Sequence, residues 1–476
     1  MPRHRVLAAG SNAHGQLANE TFDDSHVFRP CIFAPDHTSS PKYQLPGDNV
    51  HSIACGANHT LLLIELEHPS GQTHDPVRQL WGCGDGLKGQ LGPSFLRSDP
   101  QSCSSSVFWR LDQTIMGAAG IDEEKYIISA IAAAWESTFI VFRPKHELLR
   151  RSKDIVIALG NNDHGVLGSG LTPTELKYSH MPRRIALEEE LNAIYPDILS
   201  GFRINNLAAG LHHVIATLQV FLHSGDREIA IGWGASRHEQ LGSFPSQRHL
   251  KFDGRAPIIP FTPCPRLLLL SLKIPEYNIT DPIVTCALGS HHSVFLHQSG
   301  GITGLGSNKK GQLAGSRSTS GTIKNVQCTW NGTYLALQSE DGEPSLGHLE
   351  WEIRATGSGN KGQLGHGSVV SSRSGLGAVQ FPFKSNTCRL IDMACGSEHV
   401  LVLVERFNEQ ASPGVDETQK VWAWGWNEHG NFGLGHTTDA HSPVAIWPPP
   451  PGAGQVRSRI HSIWAGCGTS WIVETL

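Results

Sequence analysis

Charge is scarce in this chain. Asp, Glu, Lys and Arg make up only 17% of its 476 residues, and the formal net charge is −5 with His neutral. A general nucleic-acid binder shows a basic field, so that class is disfavoured. Met1 to Arg5 hold two Arg but no basic run. Long apolar runs are missing as well. Runs such as Leu267 to Leu272, six residues including a Ser, fall far short of the roughly 20 that a membrane helix needs. Val6 to Ala9 gives way at once to Gly10, Ser11 and Asn12, which is no secretory core. The ten Cys form no C-x-x-C pair. Cys55, Cys286 and Cys395 sit in apolar strands, where buried thiols are expected rather than redox or zinc pairs. A soluble cytoplasmic or nuclear protein is therefore expected. Of the Asn-x-Ser/Thr sequons Asn19, Asn58, Asn278 and Asn331, the second and fourth are explained by a repeat.

Catalytic signatures are missing too. There is no H-E-x-x-H, no G-x-S-x-G elbow and no P-loop, and His146-Glu147 is followed by Leu-Leu-Arg. Gly84-Asp-Gly86-Leu-Lys-Gly89 and Gly357-Ser-Gly359-Asn-Lys-Gly362 match G-x-G-x-x-G. Neither opens a helix of a βαβ unit, and both hold one position of the repeat, so they read as turns. We expect no enzyme, no cofactor and no metal.

What is present is Gly, at 51 residues, and 39% hydrophobic content arranged in a repeat. One motif is an apolar strand ending at Gly, a polar turn and Gly-Gln-Leu-Gly or a relative. It occurs as VLAAGSNAHGQLA (6–18), LWGCGDGLKGQLG (80–92) and VIALGNNDHGVLG (156–168), and then as AIGWGASRHEQLG (230–242), GITGLGSNKKGQLA (301–314), IRATGSGNKGQLG (353–365) and VWAWGWNEHGNFG (421–433). The strand-end glycines Gly10, Gly84, Gly160, Gly234, Gly306, Gly357 and Gly425 are spaced 74, 76, 74, 72, 51 and 68 apart. A second motif, near Ala-Cys-Gly-x-x-His, alternates with the first. Good copies are 53–63, 207–217, 285–296 and 393–403. Degenerate copies are 131–142, 326–337 and 463–473, where Thr138, Thr333 and Trp471 stand in for the His. Gly suits the tight reversals. Asn12, Asn162, Asn308 and Asn427 suit left-handed geometry or a bond to their own turn. The Leu of Gln-Leu is expected to plug between neighbouring units. The chain opens on a first motif and closes on a second, so its two ends should meet. We read one domain over 1–476, with loop insertions near 93–127, 169–204 and 243–282. The last of these carries Arg248, Lys251, Arg255, Arg266 and Lys273 and is either a partner-binding loop or an ornament.

His59, His213, His292 and His399 occupy equivalent positions in separate units. Metal ligands must converge, so these are expected to be structural, as are His14, His164, His238 and His429. Six of the twelve Trp (422, 424, 426, 447, 464, 471) fall near the C-terminus. Trp422, Trp424 and Trp464 are expected to pack between units. Trp426 and Trp471 lie in or beside turns, where aromatics can anchor a partner. Pro448 to Pro451 reads as a stiff loop.

The repeat resembles that of the regulator-of-chromosome-condensation family over Val6 to Val473. That resemblance implies an all-β, seven-bladed β-propeller. Trp424-Gly-Trp426-Asn427-Glu428-His429-Gly430-Asn431 and 465–473 resemble the ending of the fungal α-tubulin suppressor subgroup, although Phe432 replaces the Cys expected after Asn431. This resemblance implies a propeller adaptor that grips a small zinc-binding electron-carrier protein in Elongator-dependent tRNA wobble-uridine modification and diphthamide synthesis. Trp426, Glu428, His429 and Trp471 would form the contact. A similar ending in animal secretion-regulating exchange-factor-like proteins keeps guanine-nucleotide exchange on a small GTPase open. A cytoskeletal or secretory scaffold is a third reading.

Overall fold

The computed structural model describes residues 4–34, 45–47, 49–66, 76–96, 103–145, 152–196, 199–242, 259–268, 270, 281–313, 321–338, 350–368, 372–407, 419–449 and 459–475. Its strands form seven antiparallel sheets, the blades of a β-propeller. The first two strands, β1 (His4–Gly10) and β2 (Ser25–Pro30), belong to the last blade. Blade one is β3 (Asn49–Cys55), β4 (His59–Leu66), β5 (Val77–Asp85) and β6 (Ser104–Arg110), followed by helix α1 (Asp112–Ala119). Blade two is β7 (Tyr126–Ala133), β8 (Ser137–Pro144), β9 (Ile155–Asn161) and β10 (Tyr178–Arg184), followed by α2 (Leu187–Ile194). Blade three is β11 (Leu199–Ala209), β12 (His213–Leu222), β13 (Arg227–Ala235) and β14 (Phe261–Leu267). Blade four shows β15 (Ile283–Leu288), β16 (His292–His297) and β17 (Ile302–Gly306) among the described residues. Blade five is β18 (Thr322–Thr329), β19 (Gly332–Gln338), β20 (Trp351–Ser358) and β21 (Ser372–Ala378). Blade six is β22 (Cys388–Cys395), β23 (His399–Arg406), β24 (Gln419–Gly425) and β25 (Ala440–Trp447). Blade seven joins β26 (Arg459–Ala465) and β27 (Thr469–Thr475) to β1 and β2.

The two ends of the chain do meet. β1 pairs with β27 from His4↔Thr475 to Gly10↔Thr469, and Arg5 forms an ion pair with the fully buried Glu474. The segments 93–127 and 169–204 are more than loops. Each holds the outermost strand of its blade and a short helix, because outer strands carry no motif to reveal them. Of 243–282, the described part is β14 and its flanks. Arg248, Lys251, Arg255 and Lys273 lie outside the described residues.

The core is divided among the seams between blades, with one apolar cluster for each of the seven contacts. β4 shows why the strands read as unbroken apolar runs. Leu62 and Ile64 face blade seven, whereas Leu61 and Leu63 face blade two. Alternate side chains point to opposite sheet faces, and here both faces are covered. The Leu of Gln-Leu fills these seams as expected: Leu17, Leu91, Leu167 and Leu241 are wholly buried, and Phe432 takes the same role. Each innermost strand carries a bulge at the same place, which adds local twist.

Two repeat positions demand Gly. The strand-end glycines all have positive φ, and a Cβ on Gly84 would sit 2.3 Å from the Asn58 carbonyl oxygen. In the second motif, a Cβ on Gly56 would lie 2.2 Å from the His59 ring. The Asn of the first motif bonds to its own turn as expected but does so without left-handed geometry. Asn162 has φ −111, so it is not left-handed. Its side chain bridges the turn: Asn162 Oδ1 accepts from Leu167 N–H at 3.1 Å, and Nδ2 donates to the Leu171 and Leu176 carbonyls. Asn12 and Asn427 repeat this pattern.

Candidate interaction face

The turns of both motifs emerge on one face of the ring. At its hub lies the short turn between the first two strands of each blade. The first hub residue is Ala57, Trp135, Leu211, Ser290, Trp330, Ser397 or Cys467 in blades one to seven. Backbone bonds link these turns around the ring: Ala57 N–H to Trp135 O, Trp135 N–H to Leu211 O, Ser290 N–H to Trp330 O, and Trp330 N–H to Ser397 O, at 2.8–3.1 Å. They surround a central shaft of about 290 Å3 walled by Ala, Gly and Cys. Burial pushes the shaft thiols up, Cys55, Cys286 and Cys328 to about 12 and Cys467 to about 11. They are therefore protonated and poor nucleophiles. Trp135 and Trp330, from blades two and five, meet over the mouth with ring centroids 5.8 Å apart and remain half-exposed.

Strand register corrects the reading of the His position. His59, His213, His292 and His399 each lie opposite a strand-end Gly, and the residues doing so in the other blades are Ser137, Gly332 and Thr469. Thr138, Thr333 and Trp471 are displaced from that position by one or two residues. The imidazoles are structural links between blades. His59, His213, His292 and His399 reach Thr138, Ser293, Thr333 and Ser470 of the next blade at 3.0–3.2 Å. Thr138, Ser293 and Thr333 donate in turn to the carbonyls of Gln90, Gln240 and Gln312. Each of these three hydroxyls spends its proton on a carbonyl, so the imidazole Nε2–H must be the donor. Burial holds the rings neutral, with pKa values lowered to about 3 for His59 and His213 and about 4 for His292 and His399.

The predicted contact residues divide. Trp426, Glu428 and His429 come together in the turn after β24. Trp426 Nε1 donates to Glu428 at 3.0 Å, and its ring meets His429 edge-on at 5.1 Å. His429 Nδ1 lies 2.7 Å from Asp24 of blade seven, a partner the sequence did not suggest. Glu428 is exposed, whereas Trp426 and His429 are half-exposed. This patch sits on the seam where the ring closes. Trp471 does not belong to it. It is fully buried between blades seven and one, with Nε1 donating to Thr469 Oγ1 at 3.2 Å. Blade seven is covered on both faces, so alternation leaves no exposed side for it.

Trp424 is also buried and donates to the Gln363 carbonyl across a seam. Trp422 and Trp464 pack against the seams as expected. The G-x-G-x-x-G stretches lie in turns between adjacent strands. Trp135 and Trp330 escaped the sequence reading because they stand in degenerate copies. Ala134-Trp135-Glu136-Ser137 and Thr329-Trp330-Asn331-Gly332 place a bulky ring where the other copies have Ala, Leu, Ser or Cys, and that substitution is the available signal.

One further position is constant in character. The residue before the turn Gly (Glu239 in blade three) is His14, Lys88, His164, His238, Lys310, Lys361 or His429. In most copies the Gln two positions later holds its N–H, as at His14, Lys88, His238, Lys310 and Lys361, at 2.8–3.0 Å. Among the described residues no helix is long and apolar enough to cross a membrane.

Comparison with known proteins agrees with this architecture. The family profile "Regulator of chromosome condensation (RCC1) repeat" matches residues 3–63 and 355–403. A mouse "Secretion-regulating guanine nucleotide exchange factor" is 25% identical over 98% of this chain and 83% of its own length. An RCC1 repeat-containing protein of Schizosaccharomyces pombe is 22% identical over 98% of both chains. Among solved structures, Prp20p of Saccharomyces cerevisiae superposes with TM-score 0.63 at 16% identity, covering 100% of this chain and 92% of that one. Human WBSCR16 gives 0.61 at 16% identity, covering 99% and 98%.

Proposed function

We propose that this RCC1-type propeller works by holding another protein on its turn-bearing face, and that it acts as an adaptor in tRNA wobble-uridine modification and diphthamide synthesis in the cytoplasm or nucleus. Its partner in this reading is a small zinc-binding electron-carrier protein. The observation that carries the reading is the ordered patch of Trp426, Glu428, His429 and Asp24 on the closing seam. A hydrogen bond to Glu428 and the edge of the His429 ring fix a half-exposed indole in advance, which lowers the ordering cost of binding. Calorimetric titration with the zinc protein tests it. One-to-one binding that is lost in the Trp426→Ala, Glu428→Ala double variant supports the adaptor. No binding at ~10–100 µM removes it.

A second reading, exchange on a small GTPase, is favoured by the likeness to the mouse secretion-regulating exchange factor across 98% of this chain. Nucleotide-release assays on a panel of small GTPases test that reading. Accelerated release by the wild-type ring supports it, and rates equal to the intrinsic ones exclude it for the panel.

A further inference from the structure

The same face carries a basic and imidazole crescent on blades two to four that the seam patch does not reach. His238 meets His291 with ring centroids 4.3 Å apart, and His164 meets His212 at 5.0 Å, each pair bridging two blades. Arg237, Lys309 and Lys310 are exposed beside them, and none makes an ion pair among the described residues. Burial first, and then Lys309 and Arg237, lower the pKa of His238, and burial, His238, Lys309 and His164 lower that of His291. The crescent is wired to the hub. His291 Nδ1 lies 3.0 Å from Ser290 Oγ, which donates to the Trp330 carbonyl at 2.8 Å. These cations share the face with the half-exposed pair of indoles, and His291 and Ser290 join the two regions.

We propose that this crescent and hub form a docking surface for an acidic segment of another protein. Its carboxylates would meet Arg237, Lys309 and Lys310, and an apolar side chain would lie on Trp135 and Trp330. Charge complementarity commits the surface to an anion, because Arg237, Lys309 and Lys310 are exposed and have no ion-pair partner among the described residues. The face favours a protein over a nucleic acid. Asp163 and Glu239 stand among the cations and the whole chain is at −5, an arrangement that repels a continuous polyanion but admits spaced carboxylates. This inference deepens the reading of the chain as a protein-binding ring and rests on it.

The test is fluorescence anisotropy on the full chain with a labelled Glu- and Leu-rich peptide containing a Phe, with its Lys-for-Glu counterpart, and with a single-stranded oligonucleotide. Binding of the acidic peptide alone is expected. It should weaken about tenfold or more in Lys309→Glu, Lys310→Glu and again in Trp330→Ala. Circular dichroism should show the ring intact, since these side chains are exposed or half-exposed. No acidic-peptide binding at ~100 µM, equal binding by the charge-reversed variant, or preference for the oligonucleotide overturns the proposal. Acidic-peptide binding without zinc-protein binding keeps the crescent and removes the first functional reading. The opposite result removes the crescent alone.

Discussion

Four buried imidazoles make the ring acid-sensitive in a way that can be counted. His59, His213, His292 and His399 have folded-state pKa values held at about 3 to 4 by burial, below the unfolded value of about 6.5. The unfolded chain therefore binds more protons on acidification. The stability these rings contribute is present above about pH 6.5 and is lost as pH falls towards their folded values. At pH 5 each costs about 2 kcal/mol relative to pH 7, so the four together cost roughly 8 kcal/mol, comparable with the whole stability of a typical fold. Asp392, pushed up to about 6 by burial, works in the opposite direction and returns about 1 kcal/mol over the same interval. The clean assay is a difference. Urea unfolding of the wild type and of His213→Gln is followed at both pH values, the Gln amide retaining a donor towards Ser293. The variant should be less stable at pH 7 but should lose about 2 kcal/mol less than the wild type between pH 7 and pH 5. Equal losses would refute the argument, because His213 would then not be held neutral by the fold.

The other predictions concern packing and closure. Trp471→Ala should cost about 3–5 kcal/mol by opening a cavity between blades seven and one, whereas Trp426→Ala should change stability by under about 1 kcal/mol. Thermal or urea midpoints separate the two, and equal effects would put Trp426 in the core as well. Gly84→Ala forces a side chain to φ 93 and to 2.3 Å from a carbonyl, so it should destabilise by about 3 kcal/mol or more. Near-wild-type urea midpoints would contradict that geometry. Removing residues 1–10 deletes β1 and exposes the edge of β27. The truncated chain should aggregate or lose its cooperative transition on calorimetry, and a monomer with an unchanged transition would show that closure is dispensable. The shaft thiols Cys55, Cys286 and Cys328 should react with iodoacetamide only on unfolding, as mass spectrometry of labelled peptides would show.

How far the sequence reveals the molecule depends on what each residue is constrained by. The strand-end glycines, Asn12, Asn427 and the Leu of Gln-Leu recur because every seam imposes the same geometry. Repetition of that kind is legible from one chain. Outer strands such as β6, β10 and β14 are half-solvated and bear no motif, so 93–127 and 169–204 read as insertions. The reading of Trp471 as a surface residue failed for a related reason. A turn-proximal Trp is ambiguous until it is known that its blade is covered on both faces. Asp24 was invisible as a partner of His429 because the two meet only when the ring closes.

The hub shows where functional information sits in such a repeat. Backbone bonds from Ala57 to Leu211 and from Ser290 to Ser397 fix the main chain at that position, so the repeat does not dictate one side chain there, although Ser290 and Ser397 add bonds of their own. The side chain runs from Ala57 and Ser397 to Trp135, Leu211 and Trp330. Elsewhere an indole in a tight turn would be a packing accident. Here two of them meet over the shaft mouth, and Ser290 ties one to the basic crescent. The positions that obey the repeat hold the ring together, and those that break it mark the face that a partner can read.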